Sequence, residues 1–167
     1  LRRCRILRNT SALGGDSVAA GGVLVDTNAT FHAENTVFRQ NIVQEGGAGA
    51  LVVYGDALVV NCTFWANRTL NGGDAGAVFV ANGFNLGPGR LYAINCTFSR
   101  NQAGGNQAAG GVYVSYDDTG EPPTLGSAQL LNCILYENRL QMGGPVDNEG
   151  TQLGGRSGAS ISVRNSL

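Results

Sequence analysis

The chain has 167 residues, of which 26 are glycine, and it carries a formal net charge of −1. All eleven basic residues are arginine, and this sparse, balanced charge excludes the broad positive surface of a nucleic-acid-binding module. The 43% hydrophobic content excludes a disordered chain, the glycines lack the three-residue period of collagen, and no apolar run is long enough to insert in a membrane as a helix.

A seven-residue element recurs along the chain from its beginning. Its copies occupy residues 3–9, 35–41, 61–67, 95–101 and 132–138, and another copy starts at residue 165. Every copy ends on Asn, and all but the first also begin with Asn. The spacing varies from 26 residues (61 − 35) to 37 residues (132 − 95), which indicates loops of different length inserted into a constant frame.

A second element alternates with the first. It consists of Ala-Gly followed by a short run of Val, Leu or an aromatic residue, at 20–25, 48–53, 75–80 and 109–114. A fifth copy near Pro145 is degraded. Short β-branched segments bounded by Gly and Asn are typical of strands, and no long helical period is present.

Equivalent residues that recur once per coil would stack about 4.8 Å apart, which is the geometry of a parallel β-helix. We predict an all-β fold of about five coils, forming one domain over residues 1–167. Residues 3 and 165 lie in the same phase of the repeat. We therefore expect the domain to be a segment of a longer solenoid or a unit that stacks end to end in a filament.

Three apolar columns are predicted to form the core. The Phe column, from the first element, contains Ile6, Phe38, Phe64, Phe98 and Leu135. The other two columns come from the strand of the second element, which we call the Val strand. One contains Val23, Leu51, Val78 and Val112, and the other contains Val25, Val53, Val80 and Val114. Residues two places before the Phe column face the same way, because side chains alternate along a strand. That column contains Cys4, Thr36, Cys62, Cys96 and Cys133.

Two Asn columns are expected at the corners. The first Asn ladder contains Asn9, Asn41, Asn67, Asn101 and Asn138, and the second Asn ladder contains Asn35, Asn61, Asn95, Asn132 and Asn165. Asn tolerates the left-handed conformation that a sharp corner requires, and a stacked amide can hydrogen-bond its equivalents in the adjacent coils. We expect both properties in both ladders.

The alternating elements resemble the repeats of polymorphic outer membrane proteins, in which a Gly-Gly-Ala-Ile-like tetrapeptide alternates with Phe-x-x-Asn. The tetrapeptide corresponds to residues 21–24, 49–52, 76–79 and 110–113, and Phe-x-x-Asn to residues 38–41, 64–67 and 98–101. The resemblance implies a right-handed parallel β-helix on an extracellular or cell-surface protein, often an adhesin.

The four cysteines offer two interpretations. Cys62, Cys96 and Cys133 lie in successive coils, so one adjacent pair could form a disulfide along the stack; the alternative is buried free thiols that serve as small core residues. A zinc site is not indicated, because there is no Cys-x-x-Cys and only one histidine.

Three carboxylates and one turn are candidate sites. Asp117, Asp118 and Glu121 are weak Ca²⁺ candidates in a turn-rich loop that lacks a recognisable ligand spacing. No carboxylate recurs in a column that would line a sugar-binding cleft, so an enzyme is not expected. Asn28, in an Asn-x-Thr sequon outside both ladders, is the best glycosylation candidate.

Alternation along the Val strand also predicts an apolar stripe on its outer side. This stripe contains Leu24, Val52, Phe79 and Tyr113. An exposed apolar strip is typical of an interaction surface. The alternative is that a long loop, such as residues 116–124, covers the sheet.

Taken together, the sequence predicts an extracellular structural or adhesive module that requires no cofactor. Its expected partners are flanking coils or other copies of the solenoid, together with surface glycans or proteins. A polysaccharide lyase or glycoside hydrolase on the same scaffold is the alternative, since a fold of this kind can host both roles.

Overall fold

The computed structural model describes residues 1–12, 19–81, 88–105, 108–115, 126–140, 152–156 and 159–167. Within these ranges the chain contains twenty strands and no helix. The strands form four parallel sheets of five strands each, and every coil adds one strand to every sheet. The predicted all-β fold, a parallel β-helix of about five coils, is confirmed.

Each coil runs through sheets 1 to 4 in order. Sheet 1 contains β1 (Arg5–Leu7), β5 (Val37–Arg39), β9 (Thr63–Trp65), β13 (Thr97–Ser99) and β17 (Ile134–Tyr136). Sheet 2 contains β2 (Thr10–Ser11), β6 (Ile42–Glu45), β10 (Arg68–Asn71), β14 (Gln102–Ala103) and β18 (Arg139–Leu140). Sheet 3 contains β3 (Val23–Val25), β7 (Leu51–Val53), β11 (Val78–Val80), β15 (Val112–Val114) and β19 (Leu153–Gly155). Sheet 4 contains β4 (Thr30–Glu34), β8 (Asp56–Val60), β12 (Arg90–Ile94), β16 (Ser127–Leu131) and β20 (Ser160–Arg164).

The Phe column forms the centre of the core. Phe38 pairs in register with Phe64, and Phe64 pairs with Phe98. All three side chains are fully buried, and their rings stack almost parallel with centroids 4.6 and 4.8 Å apart. Sheet 3 places the two predicted Val columns in register as well. The three predicted core columns are therefore confirmed.

Sheet 4 supplies further core columns that the repeat analysis missed. Its inward positions alternate along each strand, as in the buried pair Leu91 and Ala93 of β12. The register places Ala57 and Ala128 beside Leu91, and Val59 and Leu130 beside Ala93. The residue type changes from coil to coil here, so a search for recurring identities does not detect the column.

The corners of each coil depend on left-handed backbone at two positions. All five residues of the second Asn ladder have φ between 50° and 53°. At the other corner, the left-handed residue is the one that precedes each Asn of the first ladder. These residues are Arg8, Gln40, Ala66, Arg100 and Glu137. The expectation that the first Asn ladder itself supplies left-handed residues is therefore wrong.

Candidate functional site

The first Asn ladder is a continuous hydrogen-bonded column inside the solenoid. Asn101 Oδ1 accepts hydrogen bonds from the backbone N and the Nδ2 of Asn67, both at 3.0 Å. Asn101 Nδ2 donates to Asn138 Oδ1 at 2.8 Å and to the carbonyl of Phe64 at 2.9 Å. The same pattern joins Asn9 to Asn41 and Asn41 to Asn67. The amides of Asn41, Asn67 and Asn101 therefore each link three coils.

These contacts explain why Asn is used at this position. Asn41, Asn67, Asn101 and Asn138 are all buried, and a buried polar group is tolerated when its donors and acceptors are paired. At the last described coil, Asn138 Nδ2 donates to Gln152 Oε1 at 2.6 Å, so Gln152 takes the place of a further ladder Asn. The first ladder is an internal structural element.

The second Asn ladder has a different role. Asn35, Asn61, Asn95 and Asn132 are exposed, and among their side chains one contact joins neighbouring coils, from Asn132 Nδ2 to Asn95 Oδ1 at 3.1 Å. Their common property is the left-handed φ. Asn is suited to this conformation because its short polar side chain interacts with the local backbone.

The predicted apolar stripe is exposed only at its first residue. Leu24 is 44% exposed, whereas Val52, Phe79 and Tyr113 are 0%, 6% and 5% exposed. The prediction of a continuous exposed stripe is therefore wrong for these three residues. They belong to a second apolar cluster on the outer side of sheet 3, which also contains the alanines Ala48, Ala75, Ala81 and Ala109. The Phe79 and Tyr113 rings stack with centroids 6.1 Å apart.

The Ala-Gly pairs lie where successive coils approach each other closely. Ala20, Ala48, Ala75 and Ala109 form a column of β-bridges just before the sheet 3 strands. A side chain at Gly49 or Gly76 would clash with the backbone of the next coil, at Arg68 or Gln102 respectively. Only glycine permits this close approach, and the alanines beside these glycines pack in the second apolar cluster.

The thiol column is buried and carries no disulfide. Cys62, Cys96 and Cys133 are each 1% exposed, and all four cysteines are free. The thiol of Cys62 contacts the carbonyl of Val60 at 3.3 Å, and the Thr36 hydroxyl donates to the carbonyl of Glu34 at 3.0 Å. Contacts with the neighbouring thiols, together with burial, raise the pKa of Cys96. Of the two interpretations, the structure shows free thiols that act as small core residues.

A group of polar side chains lies beside the second apolar cluster. Burial raises the pKa of Asp74 from 3.8 to about 6, and the positive charge of Arg156 partly offsets this. Burial also raises the pKa of Tyr54, and the negative charges of Asp74 and Asp26 add to that effect. Burial raises the pKa of Tyr113 as well. Asp74 is the described carboxylate whose ionisation is most disfavoured, and repeat analysis missed it because it does not recur.

We expect Asp74 to make stability pH-dependent. Its folded pKa lies above its unfolded pKa, so the folded state binds this proton more tightly, and the contribution to the free energy of unfolding falls as pH rises from about 4 to about 6. Asp74→Asn should stabilise the protein by about 1 kcal/mol at pH 7.5, after allowance for solvent screening, and by much less at pH 4.

Urea unfolding of the wild type and Asp74→Asn at both pH values measures this difference. Asp56→Asn is the control, because Asp56 lies on the surface and pairs with Arg90 at 3.5 Å. Its effect should not change in the same direction. Equal effects of Asp74→Asn at pH 4 and pH 7.5 would contradict the assignment.

Two predicted sites remain, the Ca²⁺ candidates and the glycosylation candidate. Asp117, Asp118 and Glu121 lie outside the described residues, so the structure does not place the Ca²⁺ candidates. Among the residues that it does place, no group of three His, Cys, Asp or Glu side chains could hold a metal ion. Asn28 is exposed, has a φ of 60°, and lines a cleft of about 310 Å³ with Tyr54, Asp56 and Arg90. Its glycosylation remains a prediction.

The two ends of the coil stack are further candidate interaction surfaces. Strands β1 to β4 lie at one edge of the four sheets, and β17 to β20 lie at the other. Residues 165–167 already extend sheet 1, since Leu167 N donates to the carbonyl of Cys133 and Leu135 N donates to the carbonyl of Leu167. These residues thus continue the register of sheet 1 beyond β17.

Comparison with protein-family models, curated proteins and solved structures found no match to this chain. Among the described residues, no helix is long and apolar enough to cross a membrane.

Proposed function

We propose that this chain is an extracellular or cell-surface structural module, with an adhesive role, whose coils continue into flanking coils or stack end to end on other copies. The resemblance to polymorphic outer membrane protein repeats, carried by the alternating Ala-Gly and Phe-x-x-Asn elements, supports the location. The observation that carries the structural role is that several core columns end on exposed or half-buried apolar side chains.

The column through sheet 4 illustrates that open end. Ala93 and Leu130 are 0% and 1% exposed, but Val163, the next residue of the same column, is 43% exposed. At the other end, Ile6 and Val23 are only half-buried, whereas their partners Phe38 and Leu51 are fully buried. Another coil in register would bury these side chains and remove them from water.

The backbone at the last coil supports the same proposal. Ser160 N donates to the carbonyl of Gly126, and Asn132 N donates to the carbonyl of Arg164. Along a strand in a parallel sheet, successive residues bond to opposite neighbours. The N–H and carbonyl of Val163 therefore face away from β16, where they can pair with a further strand.

The register of the strands favours this role over catalysis. Asp56 of β8 lies between Thr30 and Arg90, and Glu45 of β6 lies beside Asn71. A glycoside hydrolase requires two carboxylates across a sugar-sized gap. The described strands do not stack carboxylates in that way, so the structural module remains our proposal.

Assembly is the property that tests this proposal. We expect the wild-type chain to form end-to-end oligomers as its concentration rises, observed by sedimentation velocity and as fibres one β-helix wide in negative-stain microscopy. Val163→Pro removes an N–H that faces the open edge, so it should prevent assembly while changing the melting temperature little.

Ser162→Pro is the matched control. Ser162 faces β16 by the same alternation, so proline at this position removes a hydrogen bond within the chain and should lower the melting temperature. A wild-type chain that remains monomeric at every concentration would contradict end-to-end stacking. So would undiminished assembly of Val163→Pro.

A further inference from the structure

A cleft of about 350 Å³ opens on the outer side of sheet 2, and three arginines line it. Arg68 and Arg139 are the first residues of β10 and β18. Both are paired in register with Gln102, which lies between them in the stack. Arg100 lies at the corner two residues before Gln102, with a φ of 55°. The cleft thus receives one arginine from each of three successive coils.

The cleft carries a positive charge that the described carboxylates only partly neutralise. Arg100 pairs with Glu137 at 2.7 Å, on the exposed corner. Within the described parts of the chain, Arg68 and Arg139 form no ion pair, and both are exposed. Three guanidinium groups and one carboxylate leave a local charge of +2 (3 − 1). Such a site attracts an anionic ligand.

The remaining lining residues add hydrogen-bonding and apolar surface. Gln40 and Gln102 contribute amides, which both donate and accept hydrogen bonds, and Ile42 and Ala66 contribute apolar atoms. Ala66 is the smallest residue of its corner column, between Gln40 and Arg100. The cleft therefore offers guanidinium groups for anions and amides for neutral hydroxyl groups.

We propose that this cleft binds an acidic polysaccharide, with Arg68 and Arg139 pairing to its carboxylate or sulfate groups and Gln40 and Gln102 binding its hydroxyl groups. Guanidinium groups bind both kinds of anion through paired hydrogen bonds. A nucleic acid fits less well, because none of the described lining residues is aromatic and so none of them offers a stacking surface for bases. This inference goes beyond the structural role proposed above and does not depend on it.

Calorimetric titration of the 167-residue chain with five defined polymers tests the proposal. The probes are polygalacturonate for carboxylates, dextran sulfate for sulfates, neutral dextran, polyglutamate and single-stranded oligothymidylate. We expect binding to at least one of the two acidic polysaccharides, no binding to neutral dextran, and at least tenfold weaker binding to polyglutamate and oligothymidylate. Which acidic polysaccharide binds identifies the anionic group that is recognised.

Paired variants locate the site. Arg68→Gln with Arg139→Gln should weaken binding at least tenfold, since each change removes a charge-assisted hydrogen bond. Arg39→Gln with Arg90→Gln removes the same charge from exposed positions outside the cleft and away from the two ends of the stack, and should change the Kd less than twofold. Circular dichroism confirms that each variant is folded.

A second pair of variants tests the cleft without removing an arginine. Ala66→Asp introduces a carboxylate among the guanidinium groups and should weaken binding several-fold, while Ala66→Asn, of nearly equal size and also tolerant of the left-handed conformation, should retain it. Equal Kd values for the two arginine double variants, equal Kd values for the two Ala66 variants, or tighter binding to polyglutamate or oligothymidylate would each overturn the proposal. Failure to bind either acidic polysaccharide would do the same.

Discussion

Phe64→Ala should lower the free energy of unfolding by about 3–5 kcal/mol, as should Phe98→Ala. Phe64 is fully buried, and its ring contacts Phe38 on one side and Phe98 on the other. Removing it leaves a cavity and two unstacked faces. Chemical denaturation followed by circular dichroism measures the loss.

Tyr92→Ala is the control for the loss of an aromatic ring at a strand position. Tyr92 is 40% exposed on the outer side of sheet 4, so its truncation should cost less than 1 kcal/mol. If Phe64→Ala does not fold, Phe64→Leu retains apolar volume and provides a measurable variant. Losses below 1 kcal/mol at both Phe64 and Phe98 would place the Phe column outside the core.

Asn101→Gly should destabilise the protein by about 3 kcal/mol or more. The substitution removes the acceptor of Asn67 N and Asn67 Nδ2, together with the donor to the carbonyl of Phe64. These groups are buried, and each buried group left unpaired costs about 1–3 kcal/mol. Thermal and urea unfolding measure the change.

Asn95→Gly is the matched control from the second Asn ladder. Asn95 is exposed and has a φ of 53°, a conformation that glycine adopts readily. Its replacement should cost less than 1 kcal/mol. Equal losses at Asn101 and Asn95 would show that the two ladders do not differ in the way that their contacts indicate.

The sequence predicted those parts of the fold in which the same residue type recurs in every coil. Phe38, Phe64 and Phe98 are identical and equivalent, so the spacing alone aligned sheet 1. Sheet 4 was missed because Val59, Ala93 and Leu130 differ in size while occupying one column. In a stacked core, the side chains of each coil must together fill the interior, and different apolar residues can do so in different coils.

The candidate sites were predicted less well than the fold, because they depend on how residues from different coils pack against each other. Alternation correctly placed Val52, Phe79 and Tyr113 on the outer side of sheet 3, but it carries no information about what covers that side. The recurring alanines and glycines at 48–49 and 75–76 were the one sequence feature that could have indicated the burial of that side. The cleft of Arg68, Arg100 and Arg139 was missed because Gln102 separates Arg68 from Arg139 in their column and Arg100 belongs to the corner column.

The most direct test of the central claim is to measure proton–proton Overhauser contacts between selectively labelled Phe rings in the monomeric chain. Stacking in register predicts contacts between Phe38 and Phe64 and between Phe64 and Phe98, whose centroids lie 4.6 and 4.8 Å apart. It predicts none between Phe38 and Phe98, which lie two coils apart, about 9.6 Å along the stack. A contact between Phe38 and Phe98, or no contact between the adjacent pairs, would contradict the coil register on which the whole account depends.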